Sequence, residues 1–437
     1  MGYPGKIAQK LEQAGIAVGD TIKLTSTGKQ YCGVLMPHND FSSEDIITLK
    51  LDSGYNIGIE FKERSTLELL EKGMLSEETK RDIKDDADKP TVAIIGTGGT
   101  IASYVDYRTG AVHPALSAED LAYSLPELAE MANIRATVLC SIFSEDMTGS
   151  HWQALAEEIA KELNGGAAGV IIPHGTDTLG YTSAALSFML RNLSGPVILV
   201  GAQRSSDRPS SDAPLNLLSS VGVAINSDLG EVAVLMHEKT SDSGVAIHRG
   251  TRVRKMHTSA RDAFISINQE PLGVIKDGSI GFKQSYNKKG KGPVEVNIKL
   301  EKRVALLYSY PGIRPEHLDI LAQTNKGIVL AGTGLGHVPQ GLVDSVKKAV
   351  SSGVYVVMTS QCLYGRVNMN VYSRGRDLLT AGVISGEDML PETALVKLMW
   401  VLGRTDKPQE VRELMDRNIA GEISERRYLL KKMVDTQ

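Results

Sequence analysis

Four side chains in this 437-residue chain are of the types that nucleophilic catalysis needs. Two are hydroxyls: Thr100 in "TVAIIGTGGTIAS" (residues 91–103) and Thr176 in "HGTDT" (174–178). The third is the carboxylate Asp177 beside the second threonine. The fourth is Lys255, in the polar run "RVRKMHTSARDAF" (252–264). A threonine hydroxyl is nearly inert as a nucleophile until a positioned base takes its proton. A lysine can be that base where burial disfavours its ammonium form. Composition does not choose the lysine from 48 Lys and Arg residues, but Lys255 stands out by its loop-like polar setting. Gly98 and Gly99 can adopt dihedrals closed to other residues. They would hold the Thr100 backbone up at a strand end, with its N–H free as an oxyanion donor.

Two other readings of the same residues compete. A phosphate loop of the GxxxxGK[ST] type needs a lysine that does not follow these glycines. The dinucleotide fingerprint GxGxxG begins at Gly96 and Gly98 but meets Ile101 where its last glycine belongs. "GTGLGH" (332–337) fails in the same way at His337. The other competitor is purely structural, since threonine at a strand-to-helix corner often serves as a helix N-cap. Residue types alone leave the catalytic and capping readings level.

The elements that must position these groups follow from hydrophobic patterning. "TVAIIG", "AGVIIPHG", "PVILVGAQ" and "EVAVLMHE" are continuous apolar runs, expected of strands buried on both faces of a parallel sheet. Helical segments separate them. "SHWQALAEEIAKELNGG" has Ser150 and Gln153 at capping-box spacing with Gly165 as a stop, and "TDTLGYTSAALSFMLRN" follows. The alternation predicts a doubly wound α/β domain over residues 91–285. Ligands in such sheets sit beyond the carboxyl ends of the strands. The segments there are "TGGT", "HGTDT", "GAQRSSDRP" and "HEKTSDSG", rich in hydroxyls and glycine. A second α/β unit is expected over 300–437, from "RVALLYSYPG", "KGIVLAGTGLG" and "GVYVVMTSQ", ending in a helical tail. The Gly- and Lys-rich "KQSYNKKGKGPVEVNIKLEK" reads as the connection between the two units.

Residues 1–75 read differently, as short β runs broken by Thr27-Gly28 and Asp52-Ser53-Gly54. They predict a small all-β, barrel-like module with more acidic than basic residues. The charge-dense "SEETKRDIKDDADKP" (76–90) is the expected linker, with room for a short helix. The basic cluster Arg426, Arg427, Lys431 and Lys432 reads as a solvated helix face.

A net charge of −4, 42% hydrophobic and 23% charged residues describe an ordinary globular chain with no global nucleic-acid footprint. Cys32, Cys140 and Cys362 lie far apart, which argues against a disulfide framework or a zinc site. No metal site is expected. The N-terminus lacks the apolar core of a signal peptide, and no run approaches the length of a membrane span. A reduced, cytoplasmic compartment is expected.

"TGGTIA" (97–102) and "HGTDT" together resemble the paired signatures of the L-asparaginase/glutaminase family. "SEDM" (144–147), "GAQR" (201–204), "RKMHTSARDAF" (254–264) and "YPGI" (310–313) resemble further motifs of that family in order, and the similarity covers residues 91 to about 405. The resemblance implies an amidohydrolase of two α/β domains that works as a homodimer or larger. It implies that Thr100 is the nucleophile and that Thr176, Asp177 and Lys255 complete the catalytic set. Asp177 would also hold the substrate α-ammonium, and Ser144 its α-carboxylate. Glu145 stands where many asparaginases carry Gln. A mobile-loop tyrosine is implied after the first threonine, with Tyr104 and Tyr107 both candidates.

The layout of β module, linker and amidohydrolase, with the tail "RELMDRNIAGEISERRY" (412–428), is similar to the family of archaeal glutamyl-tRNA(Gln) amidotransferase D subunits. That resemblance implies glutamine hydrolysis, with ammonia passed to a partner subunit, GatE. GatE would use ATP and Mg to amidate Glu-tRNA(Gln), leaving this chain without a cofactor of its own. A homodimer of this chain within a heterotetramer with GatE is implied too. The alternative is a stand-alone cytoplasmic L-asparaginase with an accessory β domain. The four retained residues argue against an inactive RNA-binding scaffold.

Overall fold

The computed structural model describes residues 3–36, 38, 43–51, 56–72, 86–98, 103–106, 111–114, 125–204 and 211–426, with the backbone path alone at 56, 103–106 and 111–114. The N-terminal module is a five-stranded antiparallel sheet: β1 (Thr21–Ser26), β2 (Lys29–Leu35), β3 (Ile46–Lys50), β4 (Asn56–Glu60) and β5 (Thr66–Glu71), in the order β4-β3-β2-β1-β5. Alternation drives it: in β1, Ile22 and Leu24 are fully buried while Thr21, Lys23 and Thr25 are only partly covered. The expectation of a wholly β module is corrected. A helix, Gly5–Gln13, precedes the strands and contributes Ile7 and Leu11 to the same small core. Its i, i+4 apolar pair is short enough to be lost among turn residues in the sequence.

Linker residues 73–85 lie outside the described residues, and with them the short helix expected there. Asp86–Pro90 is tied to the next domain by Asn133. The Asn133 amide donates to Asp86 O at 2.7 Å and to Lys89 O at 3.2 Å.

The main domain is built on an eight-stranded sheet in the order β18-β17-β14-β13-β12-β10-β6-β9. The strands β6 (Thr91–Gly96), β9 (Asn133–Val138), β10 (Val170–Pro173), β12 (Val197–Val200) and β13 (Val232–His237) are mutually parallel. β14 (Val245–Arg249), β17 (Gly273–Lys276) and β18 (Ser279–Phe282) extend it antiparallel at one edge. The expected parallel sheet is therefore mixed. The edge strands pass from one to the next without the helical crossover that parallel pairing needs. Small hairpins lie outside this sheet: β7 (Ser103–Asp106) with β8 (Ala111–Pro114), and β15 (Val253–Lys255) with β16 (Phe264–Ser266). β11 (Leu190–Arg191) pairs with β19 (Glu295–Val296).

The central strands are buried along their whole length, as their unbroken apolar runs predict: Val170, Ile171 and Ile172 have no exposed surface. Each such side chain contributes roughly 1.5–3 kcal/mol of burial. The helix after the "SEDM" turn runs Gly149–Asn164 and is capped by Thr148 with His151, two residues before the expected Ser150 and Gln153 pair. Those two side chains are engaged elsewhere. Lys302 Nζ donates to Ser150 Oγ at 2.9 Å, and Gln153 donates to Ile298 O at 2.9 Å, pinning the interdomain connection.

The second α/β unit has a fully parallel sheet, β20 (Val304–Tyr308), β21 (Gly327–Gly332), β22 (Tyr355–Ser360) and β23 (Ile384–Ser385), in that order. Its helix Pro391–Leu402 packs against helix Leu179–Met189 of the first unit, with the Phe188 and Trp400 rings 6.0 Å apart, so one apolar core runs through both. The expected helical tail is corrected. The last described helix, Pro408–Asp416, is followed by an extended strap, Arg417–Arg426. The buried Glu422 carboxylate accepts from the Ile419 and Ala420 N–H groups, and Gly421 turns at φ +79°, which no helix permits. Arg426 is exposed; Arg427, Lys431 and Lys432 lie outside the described residues.

Candidate active site

The candidate site lies at the carboxyl ends of parallel strands. β6 and β10 are neighbours, so the chain leaving Gly96 and the chain leaving Pro173 emerge side by side. Thr97 ties them together, its hydroxyl donating to Pro173 O at 2.9 Å. Gly98 follows at φ +108°, with its Cα so close to the Ile142 backbone that a Cβ has no room. Both conditions demand glycine here. Gly99 and Thr100 come next and lie outside the described residues, as does Tyr107. Tyr104 falls in β7, where its backbone pairs with His113.

After β10 the chain runs His174-Gly175-Thr176-Asp177 into helix Leu179–Met189, whose N-cap position is Thr178 rather than Thr176. Thr176 is thus released from the capping role that competed for it. Lys255 Nζ donates to Thr176 Oγ1 at 2.8 Å and to Asp177 Oδ1 at 2.9 Å. The lysine side chain is 15% exposed and the aspartate 68%, so the pair has a sheltered amine and an open carboxylate. Ser144 is buried in a 3₁₀ turn, Ser144–Asp146, and Thr178 Oγ1 donates to its carbonyl at 2.6 Å. Glu145, next in that turn, is exposed. The structure therefore brings Thr176, Asp177 and Lys255 into direct contact and Ser144 to the same loop.

Sequence reasoning missed the groups that hold this loop. His174 is 1% exposed and its Nδ1 donates to Gly175 O at 2.7 Å, since a carbonyl can only accept. Nε2 must then accept from the Thr182 hydroxyl at 2.9 Å, and Thr182 Oγ1 accepts the Trp152 indole N–H at 3.0 Å. Burial holds this imidazole neutral, pushing it down to about 4. A histidine closing an apolar run is the one sequence signal for it.

A second network braces the rim beyond β12 and β13. The buried Asp212 carboxylate accepts from the Gln203 N–H at 3.0 Å and the Arg204 N–H at 2.9 Å, which fixes the "GAQR" turn. Asn216 donates to Asp212 at 3.2 Å and accepts from His237 Nδ1 at 2.7 Å. His237 Nε2 accepts from Arg261 at 2.8 Å. Burial, then the nearby Arg261 charge, hold His237 down at about 4. Arg261 also pairs with Asp242. This chain of bonds links the β12 turn to the loop that follows Lys255. Among the described residues, no group of three or more His, Cys, Asp or Glu side chains could hold a metal ion, and no helix is long and apolar enough to cross a membrane.

Comparison with known proteins is consistent along the chain. Residues 16–70 match the family described as the GatD N-terminal domain, 91–288 the one described as "Asparaginase, N-terminal", and 303–415 the Glutaminase/Asparaginase C-terminal domain. The glutamyl-tRNA(Gln) amidotransferase D subunit from Pyrococcus furiosus is 53% identical over 428 residues, covering 96% of this chain and 98% of its own. Its counterpart from Thermococcus kodakarensis is 52% identical over 430 residues, covering 96% and 97%. Among solved structures, the thermostable L-asparaginase from Thermococcus kodakarensis superposes with a TM-score of 0.69 at 36% identity. It is covered over 99% of its length but spans only 76% of this chain.

Proposed function

Because the chain belongs to the family of glutamyl-tRNA(Gln) amidotransferase D subunits, we propose that it hydrolyses glutamine and hands the ammonia to a partner subunit for amidation of Glu-tRNA(Gln). The observation that carries the reading is the contact of Lys255 with Thr176 and Asp177 at the strand ends beside the "TGGT" corner. The stand-alone asparaginase reading is the weaker one. The asparaginase structure accounts for three quarters of the chain, whereas the D subunits account for nearly all of it, the β module included.

The proposed steps run in order. Glutamine enters with its α-ammonium drawn to the exposed Asp177 and its α-carboxylate toward Ser144. As Asp177 turns to the substrate, its bond to Lys255 is given up and the amine faces Thr176 alone. The neutral amine then takes a proton through the hydroxyl relay while Thr100 Oγ attacks the side-chain amide carbon. Gly99 and Thr100 N–H groups receive the oxyanion. Ammonia leaves with the returned proton, and water resolves the acyl-threonine to glutamate. ATP and Mg belong to the step on GatE. The reading includes a homodimer of this chain, a heterotetramer with GatE, and a cytoplasmic setting.

Lys255→Leu should lower glutamine turnover by about 10²–10⁴-fold in a folded protein, the usual contribution of a positioned acid-base group. Thr100→Val should abolish the acyl-enzyme altogether. Near-normal turnover in either would remove the assignment. Assay with and without the GatE partner and glutamylated tRNA separates the two functional readings. Ammonia coupled to tRNA supports the amidotransferase; robust asparagine hydrolysis indifferent to both additions overturns it.

A further inference from the structure

Lys255 ends a strand of three residues whose one ladder partner among the described residues is β16. So short a hairpin does not fix its own place, and Lys255 must be held within hydrogen-bond reach of Thr176. Its upstream neighbours supply the anchorage, and their side-chain bonds go to the second domain. Arg252 is 2% exposed. Its Nε donates to Gly421 O at 2.8 Å, one terminal nitrogen donates to Ser424 Oγ at 2.8 Å, and the other to Asp388 Oδ2 at 3.0 Å. The Arg252 carbonyl accepts the Ile267 N–H at 2.8 Å, which locks the start of β15 to the end of its partner strand. Arg254 reaches Glu392 at 3.4 Å. Thr251 Oγ1 donates to Ala420 O at 3.0 Å, and Thr393 Oγ1 donates to the Thr251 carbonyl at 3.0 Å.

The strap that grips Arg252 is itself pinned. Lys397 and Glu422, both without exposed surface, pair at 2.6 Å, and Lys397 also donates to the Met415 and Arg417 carbonyls. Ser424 N–H donates to Asp388 Oδ1 at 3.0 Å, and Arg366 donates to Ser424 O at 2.6 Å. Gly421 is the closest approach. A Cβ there would collide with the Arg249 side chain, which a two-pronged bond to Glu231 at 2.8 and 3.1 Å prevents from moving aside.

We propose that Arg252 is a positioning residue for Lys255: the C-terminal strap Arg417–Arg426, through its grip on the Arg252 guanidinium, sets where β15 lies and so how the Lys255 amine meets Thr176. The inference rests on Lys255 being the base. It makes the first domain's catalytic amine depend on a segment of the second domain that touches no reacting atom. A guanidinium is required because its three nitrogens bond in three fixed directions at once, which an ammonium on a flexible stem cannot reproduce.

The test is the pH dependence of glutamine hydrolysis by the full chain in complex with GatE, in Arg252→Lys, Ser424→Ala and Lys255→Leu variants. Arg252→Lys keeps the charge but loses the fork. It should lower kcat by about 10- to 100-fold with KM within about twofold, since misplacement of a catalytic group costs on that scale. The pH at which kcat rises should shift as well. Ser424→Ala, which deletes one bond and folds even if Arg252→Lys does not, should lower kcat about threefold in the same direction. Lower melting temperatures with unaltered kcat and pH profile, in Ser424→Ala and in Arg252→Lys where it folds, would overturn the inference and leave the clamp a scaffold. Normal turnover in Lys255→Leu would instead overturn the base assignment, so the two failures are told apart.

Discussion

The two sides of the candidate site, Thr176 and Lys255, are held by opposite chemistry. Beneath Thr176 the support is neutral: an indole N–H, a hydroxyl, an imidazole and a carbonyl in line, all within the first domain. Beneath Lys255 it is ionic and crosses between domains, with Arg252 on Asp388 and Arg254 on Glu392. Burial pushes the Arg252 guanidinium and the Lys397 ammonium below their ordinary values, and Asp388 and Glu422 pull the other way without fully restoring them. Charges in that condition add little net stability. What they add is direction, because a buried ion with an unpaired partner is far worse than either arrangement that pairs it. The neutral relay fixes a loop inside a core that is stable anyway. The ionic clamp fixes the relation of two domains, where packing alone leaves more freedom.

The largest effect should come from breaking the ionic side. Lys397→Met leaves the fully buried Glu422 without a counter-ion and should cost about 3–5 kcal/mol by urea unfolding. Adding Glu422→Gln should return at least half of that, because the amide oxygen still accepts the Ile419 and Ala420 N–H groups while the stranded charge is gone. A single variant within about 1 kcal/mol of wild type would show that the pair does not hold the strap, and the contrast with the neutral side would collapse.

The neutral side should fail next, and from the acid direction. Burial holds His174 of this relay at about 4, and does the same to His248 in β14, which lies outside the relay but in the same domain. In the unfolded chain each takes up a proton near 6.5. Between those values the unfolded state binds more protons, so stability present in full above pH 6.5 is lost as pH falls toward 4. By pH 5 each should have lost about 2 kcal/mol. Calorimetry at pH 7 and 5 reads their loss together with that of His237, also held down at about 4, and His248→Asn, whose amide can still donate to Ser266, should lose correspondingly less. Melting unchanged between the two pH values would mean that none of these histidines is kept neutral by folding.

How far this contrast is legible in the sequence depends on whether the signal is local. The buried strands are plain, since continuous apolar runs such as "GVIIP" have one sensible place in an α/β sheet. Thr176, Asp177 and Lys255 are nameable from residue type and the paired motifs, but their contact requires the fold, because 78 positions separate Lys255 from Asp177. The antiparallel edge of β14, β17 and β18 escapes the sequence because short apolar stretches do not announce strand direction. The strap reads as helix because "RELMDRNIAGEISERRY" has helical composition. Its conformation is set by Glu422 burying itself against Lys397, a contact no local pattern contains. His174 and Arg252 are hidden for the same reason, each looking like an ordinary polar residue beside a more conspicuous neighbour.

The smallest expected effect sharpens the neutral side most. Thr182→Val keeps the side-chain volume and removes a single hydroxyl that accepts from Trp152 and donates to His174. Both partners stay buried, so the change should cost about 2 kcal/mol, more than the average worth of one hydrogen bond. Its functional mark should be distinct from that of the clamp. With Nε2 unpaired, the imidazole keeps its tautomer through the Gly175 carbonyl but loses one of its two tethers, and its hold just before Thr176 weakens. Glutamine kcat should fall about threefold, without the shifted pH profile expected of Arg252→Lys, because the Lys255 strand is untouched. Thr182→Ser should restore both turnover and stability. A pH profile displaced equally in the Thr182 and Arg252 variants would mean that the two supports act as one unit, and that their difference in chemistry makes no difference to the amine.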